Sequence, residues 1–254
     1  MYEATIFAVL QGVAEFLPIS SSGHLVLGKA LLGVDNPGIR LDVFLHLGTL
    51  CAVFVFYWKV ILRIFSERDW RYVARILVSA VPIGVIGILF NDHITEFFSS
   101  LHAVGAALVF TGIILLATKV LPKGDRGVSF LSAIVMGLAQ AVAILPGVSR
   151  SGMTLAAARG MKVEPAKSAE FSFLMSAPPI VGAALLEVVK ALETNCPNCP
   201  SNESAWPLVI YGGIIAAIVG YFSLVFLHKA IKSDRFWMFG PYCLLAGVIT
   251  LILI

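Results

Sequence analysis

The densest polar chemistry of the chain lies in two short runs set among apolar residues. One reads Gln11-Gly-Val-Ala-Glu-Phe-Leu-Pro-Ile-Ser-Ser-Ser-Gly-His24, the other Gln140-Ala-Val-Ala-Ile-Leu-Pro-Gly-Val-Ser-Arg-Ser-Gly-Met153. Together they offer a carboxylate, a histidine, a guanidinium and a row of serines, a set able to bind an anion, carry a proton and attack an electrophile. Arg150 has a planar fork that suits phosphate oxygens. An arginine among hydrocarbon neighbours is costly and marks a functional site by default. Ser149, Ser151 and Thr154 surround it and read as phosphate donors rather than nucleophiles; Ser20 and Ser22 read as phosphate-binding groups of the first run. Glu15 follows Gln11 by four residues, so both share a helix face. A carboxylate and an amide oxygen there could hold Mg²⁺ or Ca²⁺, with the ligand and water completing the shell. His24 could accept or release a proton near neutral pH. Each residue also has a plainer role open to it: Arg150 and Glu15 as a structural ion pair, the serines as helix caps, His24 as a hydrogen-bonded residue at a helix start.

The elements that must position these groups follow from composition. The chain has 254 residues, 59% hydrophobic and 13% charged, against roughly a quarter charged in soluble domains. Six stretches approach the roughly 20 apolar residues a membrane helix needs: Leu41–Trp58, Tyr72–Phe90, Leu101–Thr118, Phe171–Val189, Trp206–Leu227 and Phe236–Ile254. Met1–Leu10 lacks the basic start and small-residue cleavage site of a secretory signal. The net charge of +3 is spread over short loops and points to no nucleic acid.

The two polar runs align without a gap at Gln, Val, Ala, two Ser and Gly, which reads as an internal duplication. One half is 1–120, the other 128–254, each a broken element followed by three spans. If each broken element enters and leaves on one side, the second half starts on the opposite face. The fold expected is therefore all-α and integral to the membrane, with six transmembrane helices and two re-entrant helix-loop-helix elements in an inverted-topology repeat, the arrangement that builds midplane sites. The charges agree. Of the 18 Lys and Arg, all but Lys29, Arg40, Arg150 and Lys190 fall on the face opposite the first broken element. The positive-inside rule makes that face cytoplasmic and puts both chain ends outside. If Val128–Leu145 spanned fully instead, this asymmetry would vanish. Each serine turn precedes a short helix start, and two such N-termini converging would make an anion site.

Other polar residues rank lower. His46 reads as an interfacial histidine near the outer end of a span. Cys51 and Cys243 sit in apolar segments and read as free thiols. Cys196 and Cys199 lie in a polar loop and read as a disulfide or two free thiols ahead of zinc, because no second ligand pair is evident.

The same residues carry a resemblance. Gln11 and Glu15, Ser20 to His24, and Pro146, Gly147, Ser149, Arg150, Ser151 and Thr154 resemble the paired motifs of the undecaprenyl-pyrophosphate phosphatase, or bacitracin-resistance, family. The Phe171-Ser-Phe-Leu-Met-Ser-Ala-Pro-Pro run resembles it too, and the likeness covers essentially the whole chain. It implies an enzyme of the bacterial cytoplasmic membrane that hydrolyses a polyprenyl diphosphate lipid to undecaprenyl phosphate and inorganic phosphate, recycling the carrier for peptidoglycan. It also implies dependence on a divalent metal, a site open to the outer face, and a homodimer. By analogy with that family Ser21 is the favoured nucleophile, with water directed by His24 as the alternative. Glu15, Ser21, His24 and Arg150 are the expected catalytic set. A rival class, a polyprenyl-phosphate flippase without chemistry, would use the same midplane anion site.

Overall fold

The computed structural model describes residues 1–34, 39–193 and 206–253. The described residues contain thirteen α-helices. They are α1 (Tyr2–Ala14), α2 (Ser21–Leu32), α3 (Ile39–Phe56), α4 (Trp58–Ser66), α5 (Trp70–Leu89), α6 (Asn91–Ser99), α7 (Leu101–Ala117), α8 (Phe130–Val142), α9 (Arg150–Gly160), α10 (Pro165–Leu174), α11 (Ala177–Glu193), α12 (Trp206–Lys232) and α13 (Phe239–Leu253). Cys196 and Cys199, and the bridge or thiols expected there, lie outside the described residues.

The helix starts follow local rules. The Asp69 side chain caps α5 by accepting from the Tyr72 amide, and Ser100 does the same for α7 from Ala103. Ser129 and Ser132 form a reciprocal capping box at α8. Pro165 occupies the first turn of α10, where its missing N–H leaves nothing unsatisfied.

Five helical stretches among the described residues are long and apolar enough to cross a bilayer. The count reaches six when α3 and α4, bent by 66° about Tyr57, are taken together. The first expected span therefore stops short: the helix ends at Phe56, and Trp58 opens a new one running off at an angle. The span expected at Phe171–Val189 is built from two helices, α10 and α11, broken at Met175 and Ser176 ahead of Pro178 and Pro179. Large apolar side chains face outward, as lipid contact requires; Ile88, Phe222 and Leu253 are 66–77% exposed.

In lipid, tails are as apolar as leucine, so helices associate through close packing rather than through the hydrophobic effect. Small residues provide it here. Gly105 and Gly112 on α7 meet Gly247 and Gly240 on α13; a Cβ at Gly112 would lie 2.8 Å from the Gly240 carbonyl. Gly48 on α3 abuts Gly213 on α12, where an added Cβ would lie 2.1 Å from a backbone oxygen.

Two helical hairpins stand apart from the spans. α1 packs on α2 and α8 on α9. Their arms have 11–13 residues, about 17–20 Å at 1.5 Å per residue, which is short of a hydrocarbon core. The apolar run at Val128–Leu145 accordingly stops at Val142, turns through Pro146-Gly147, and comes back as α9. The hairpins exchange partners between halves: α1 lies along α12, and α8 lies along α5.

Candidate active site

The tip of the first hairpin is set by Pro18 and by Ser20, which has φ 70° although it is not glycine. Such backbone costs about 1–3 kcal/mol and persists only where surroundings hold it. The Ser20 Oγ accepts from the Gly23 amide at 3.3 Å, capping α2, and from the Gly147 amide of the other hairpin at 3.1 Å. The two tips meet at glycine: a Cβ on Gly23 would lie 2.9 Å from the Gly147 Cα. Gly147 has φ 95°, and a Cβ there would reach the Val104 carbonyl at 2.5 Å. Thr111 on α7 clamps the second tip. Its hydroxyl donates to the Gly147 carbonyl at 2.9 Å and accepts from the Ser149 amide at 3.1 Å. Ser149 in turn caps α9 by accepting from Gly152. One serine of each tip, Ser20 and Ser149, is thus a cap, and these two caps start the helices whose N-termini meet here.

Glu15 sits where the tips converge, with its side chain 3% exposed. The Gln11 Nε2 donates to its Oε2 at 2.9 Å, so helix α1 holds its phase through the acid. The Ser21 hydroxyl donates to the same oxygen at 2.6 Å. Arg150, first residue of α9 and from the other hairpin, places Nη2 on the Glu15 Oε1. Removing either member of such a buried pair leaves an uncompensated charge.

The pair forms one wall of a cavity of about 480 Å³, large enough for a polar headgroup. Glu15, Ser20, Ser21, Ser22, Ser149 and Arg150 all line it. Apolar residues such as Ile83, Val148, Pro179 and Ala183 supply the rest of the wall. Ser151 is elsewhere: it lines a small cavity on which Glu15, Arg150, Thr49, Ser172 and Ser176 also border. Thr154 lines neither. It is fully buried, and its hydroxyl serves the Arg150 carbonyl at 2.8 Å and the Ser172 hydroxyl at 2.6 Å. The structure thus places Thr154, expected as a phosphate donor, behind the cavity wall and in contact with the Arg150 backbone.

His24 is not on the cavity wall either. Its Nδ1 donates to the Ser20 carbonyl at 2.8 Å, which leaves Nε2 to accept from the Tyr242 hydroxyl at 2.7 Å. The ring stacks on Tyr242 with centroids 5.6 Å apart. The physical reason is helix phase. Ser21, Ser22, Leu25, Val26 and Lys29 form the cavity stripe of α2, and residue 24 falls on another face.

Three residues that the sequence reading did not place in the site, His46, Asp42 and Lys29, line the wall. His46, expected at the interface, has Nε2 3.7 Å from the Glu15 Oε2 and Nδ1 donating to the Asp42 carbonyl at 2.8 Å. Asp42 pairs with Lys29 at 2.7 Å. The available signal was the i, i+4 spacing of Asp42 and His46 on an otherwise apolar helix.

A divalent cation fits part of this donor set. The Gln11 Oε1 is a buried acceptor without a hydrogen-bond partner among the described residues, next to a carboxylate. Both are hard oxygen ligands suited to Mg²⁺ or Ca²⁺. Among the described residues no group of three His, Cys, Asp or Glu surrounds a single point, so phosphate oxygens and water would have to complete the shell of such an ion.

Comparison with known proteins covers nearly the full chain. A family model described as bacitracin resistance protein BacA matches residues 4–249. A protein of Halothermothrix orenii is 38% identical over 259 residues, spanning 100% of this chain and 98% of that protein. One from Desulforapulum autotrophicum is 36% identical over 276 residues, with 99% and 98% covered. One from the Methanosphaera stadtmanae genome is 34% identical over 275 residues, with 98% and 96% covered. Each of the three carries the name undecaprenyl-diphosphatase.

Proposed function

The chain belongs to the bacitracin resistance protein BacA family and is a membrane-embedded undecaprenyl-diphosphatase, and we propose that hydrolysis takes place in the cavity walled by Glu15, Ser21 and Arg150. One observation carries the assignment: an acid from one hairpin and a guanidinium from the other meet at a single cavity, with a serine hydroxyl already donating to the acid.

The terminal phosphate docks between the N-termini of α2 and α9, where uncommitted amides and helix dipoles favour anions. Arg150 moves from Glu15 onto the phosphate oxygens and stabilises charge in the transition state. Ser21 attacks phosphorus while its proton passes to the Glu15 Oε2, the acceptor it already faces. The phosphorus–oxygen bond to the lipid phosphate breaks, and water then hydrolyses the phosphoserine. The proton role read for His24 thereby passes to Glu15. His24 instead holds the Ser20 carbonyl, and with it the strained turn that aims Ser21. Glu15 and Gln11 would hold Mg²⁺ or Ca²⁺, which would supply positive charge against the phosphate oxygens.

An inverted repeat is part of the proposal, supported by the partner exchange of the hairpins between halves and by their tip-to-tip meeting. So is a bacterial cytoplasmic-membrane location with the cavity opening outward and both chain ends outside, supported by the excess of Lys and Arg on the other face. The homodimer rests on the family resemblance and is checked by the mass of the detergent-solubilised protein. The activity is tested by phosphate release from undecaprenyl diphosphate by the purified protein, with Mg²⁺ and with EDTA. Glu15→Gln is expected to abolish release; normal turnover by that variant removes the site from consideration.

A further inference from the structure

The cavity holds a second cation that the mechanism above does not use. Lys29 stands in the last turn of α2, two turns beyond Ser22 and on the same stripe as Ser22 and Val26, all of them lining the cavity with Arg150. Side chains on a helix lean back over the preceding turn. Lys29 borders the cavity beyond Ser22 along the helix. Asp42 holds it at 2.7 Å, with the lysine side chain 23% exposed. An ammonium has three donors, and among the described residues Asp42 is the partner of one of them, on a side chain that borders the cavity. Arg150 belongs to the tip of the other hairpin and touches the acid beside Ser21. Lys29 is displaced along α2 toward its far end. A diphosphate has the same polarity, with one phosphate to be cut and one bearing the lipid.

We propose that Lys29, anchored by Asp42, is the subsite for the inner, lipid-bearing phosphate, while Arg150 serves the terminal one. This rests on the reading that the diphosphate lies in this cavity. The division of labour makes the two products separable. Prenyl monophosphate occupies the Lys29 subsite, and inorganic phosphate occupies the Arg150 subsite. The lipid-bearing phosphate gains a charge as the bridging oxygen departs with it, so the lysine serves both binding and departure, and its loss raises KM and also lowers kcat.

The test is product inhibition of the purified full-length protein by undecaprenyl phosphate and by inorganic phosphate, compared for wild type, Lys29→Gln, Lys29→Arg and Arg150→Lys. Loss of one charge-assisted contact is worth about tenfold in affinity. Lys29→Gln is expected to weaken inhibition by undecaprenyl phosphate about tenfold, with a matching rise in KM, and to leave inhibition by inorganic phosphate unchanged. Lys29→Arg restores the wild-type values, which a merely structural role for the Lys29–Asp42 pair would also allow, but only the subsite predicts that the two inhibitors separate. Equal inhibition constants in Lys29→Gln and wild type overturn the proposal, as does a parallel weakening of both inhibitors. Should Arg150→Lys leave turnover and both constants untouched, the cavity itself is the wrong place, a failure distinct from that of Lys29.

Discussion

Replacing Arg150 by lysine separates what the guanidinium does for the fold from what it does for the reaction. The wild-type side chain lies on the Glu15 Oε1, with Glu15 almost wholly inside the protein. Lysine keeps the positive charge, so the carboxylate is not left alone, and the expected loss of stability is smaller than when the charge is removed. What disappears is the planar fork that can grip two oxygens of a phosphate and follow them as they spread. Losing one preorganised donor to developing charge costs about 3–4 kcal/mol, or 10²–10³ in kcat. Arg150→Met removes the charge as well. It strands Glu15, and the fold should lose about 3–5 kcal/mol. Pairing it with Glu15→Gln should then recover most of that stability without recovering turnover. The assay is phosphate release by detergent-purified protein beside thermal unfolding of the same samples. A lysine variant within about threefold of wild-type kcat would falsify the role of the fork, since a point charge would then suffice.

Three further outcomes follow from the geometry. Ser21→Ala should lower kcat by about 10³-fold or more if serine attacks phosphorus, and ³²P from labelled substrate should no longer be trapped on the quenched protein; a loss under about tenfold points to water as the nucleophile. Gly147→Ala forces a side chain into a positive-φ position and against the Val104 carbonyl, so thermal unfolding should report a loss of about 2–4 kcal/mol, with activity falling as the tips part; an unchanged melting profile would contradict the tip contact. On the basic face, the Arg159 guanidinium donates to Asp234 and holds that carboxyl below its ordinary 3.8, with Lys123 assisting. A lowered folded value means stability that is present above pH 3.8 and lost as pH falls through the folded value beneath it. Asp234→Asn should therefore melt earlier than wild type at neutral pH, and the gap should close in acid; a gap that persists below the folded value refutes the linkage.

Much of this protein was legible along the chain because its information is local. Membrane spans follow from runs of apolar residues. The breaks follow from Pro18 and Pro146-Gly147, and the helix starts from serines, whose side chains compete for backbone amides within three residues. Gln11 and Glu15 could be paired from a spacing of four. Arg150 could be flagged because a guanidinium is so costly in hydrocarbon.

What needed the third dimension was facing and meeting. Sequence gives the period of a helix but not the angle at which it is mounted. His24 lies two residues past Ser22, about 200° around the axis, and turns to Tyr242, while His46 from a different helix comes to the acid. The same blindness hid Thr154 beneath Arg150, Thr111 behind Gly147, and Lys29 with Asp42 on the cavity wall. The encounter of Glu15 with Arg150 is decided by no local rule. It exists because glycines at 23 and 147 let two hairpin tips come within a hydrogen bond of each other, with α1 packed on α12 and α8 on α5 behind them.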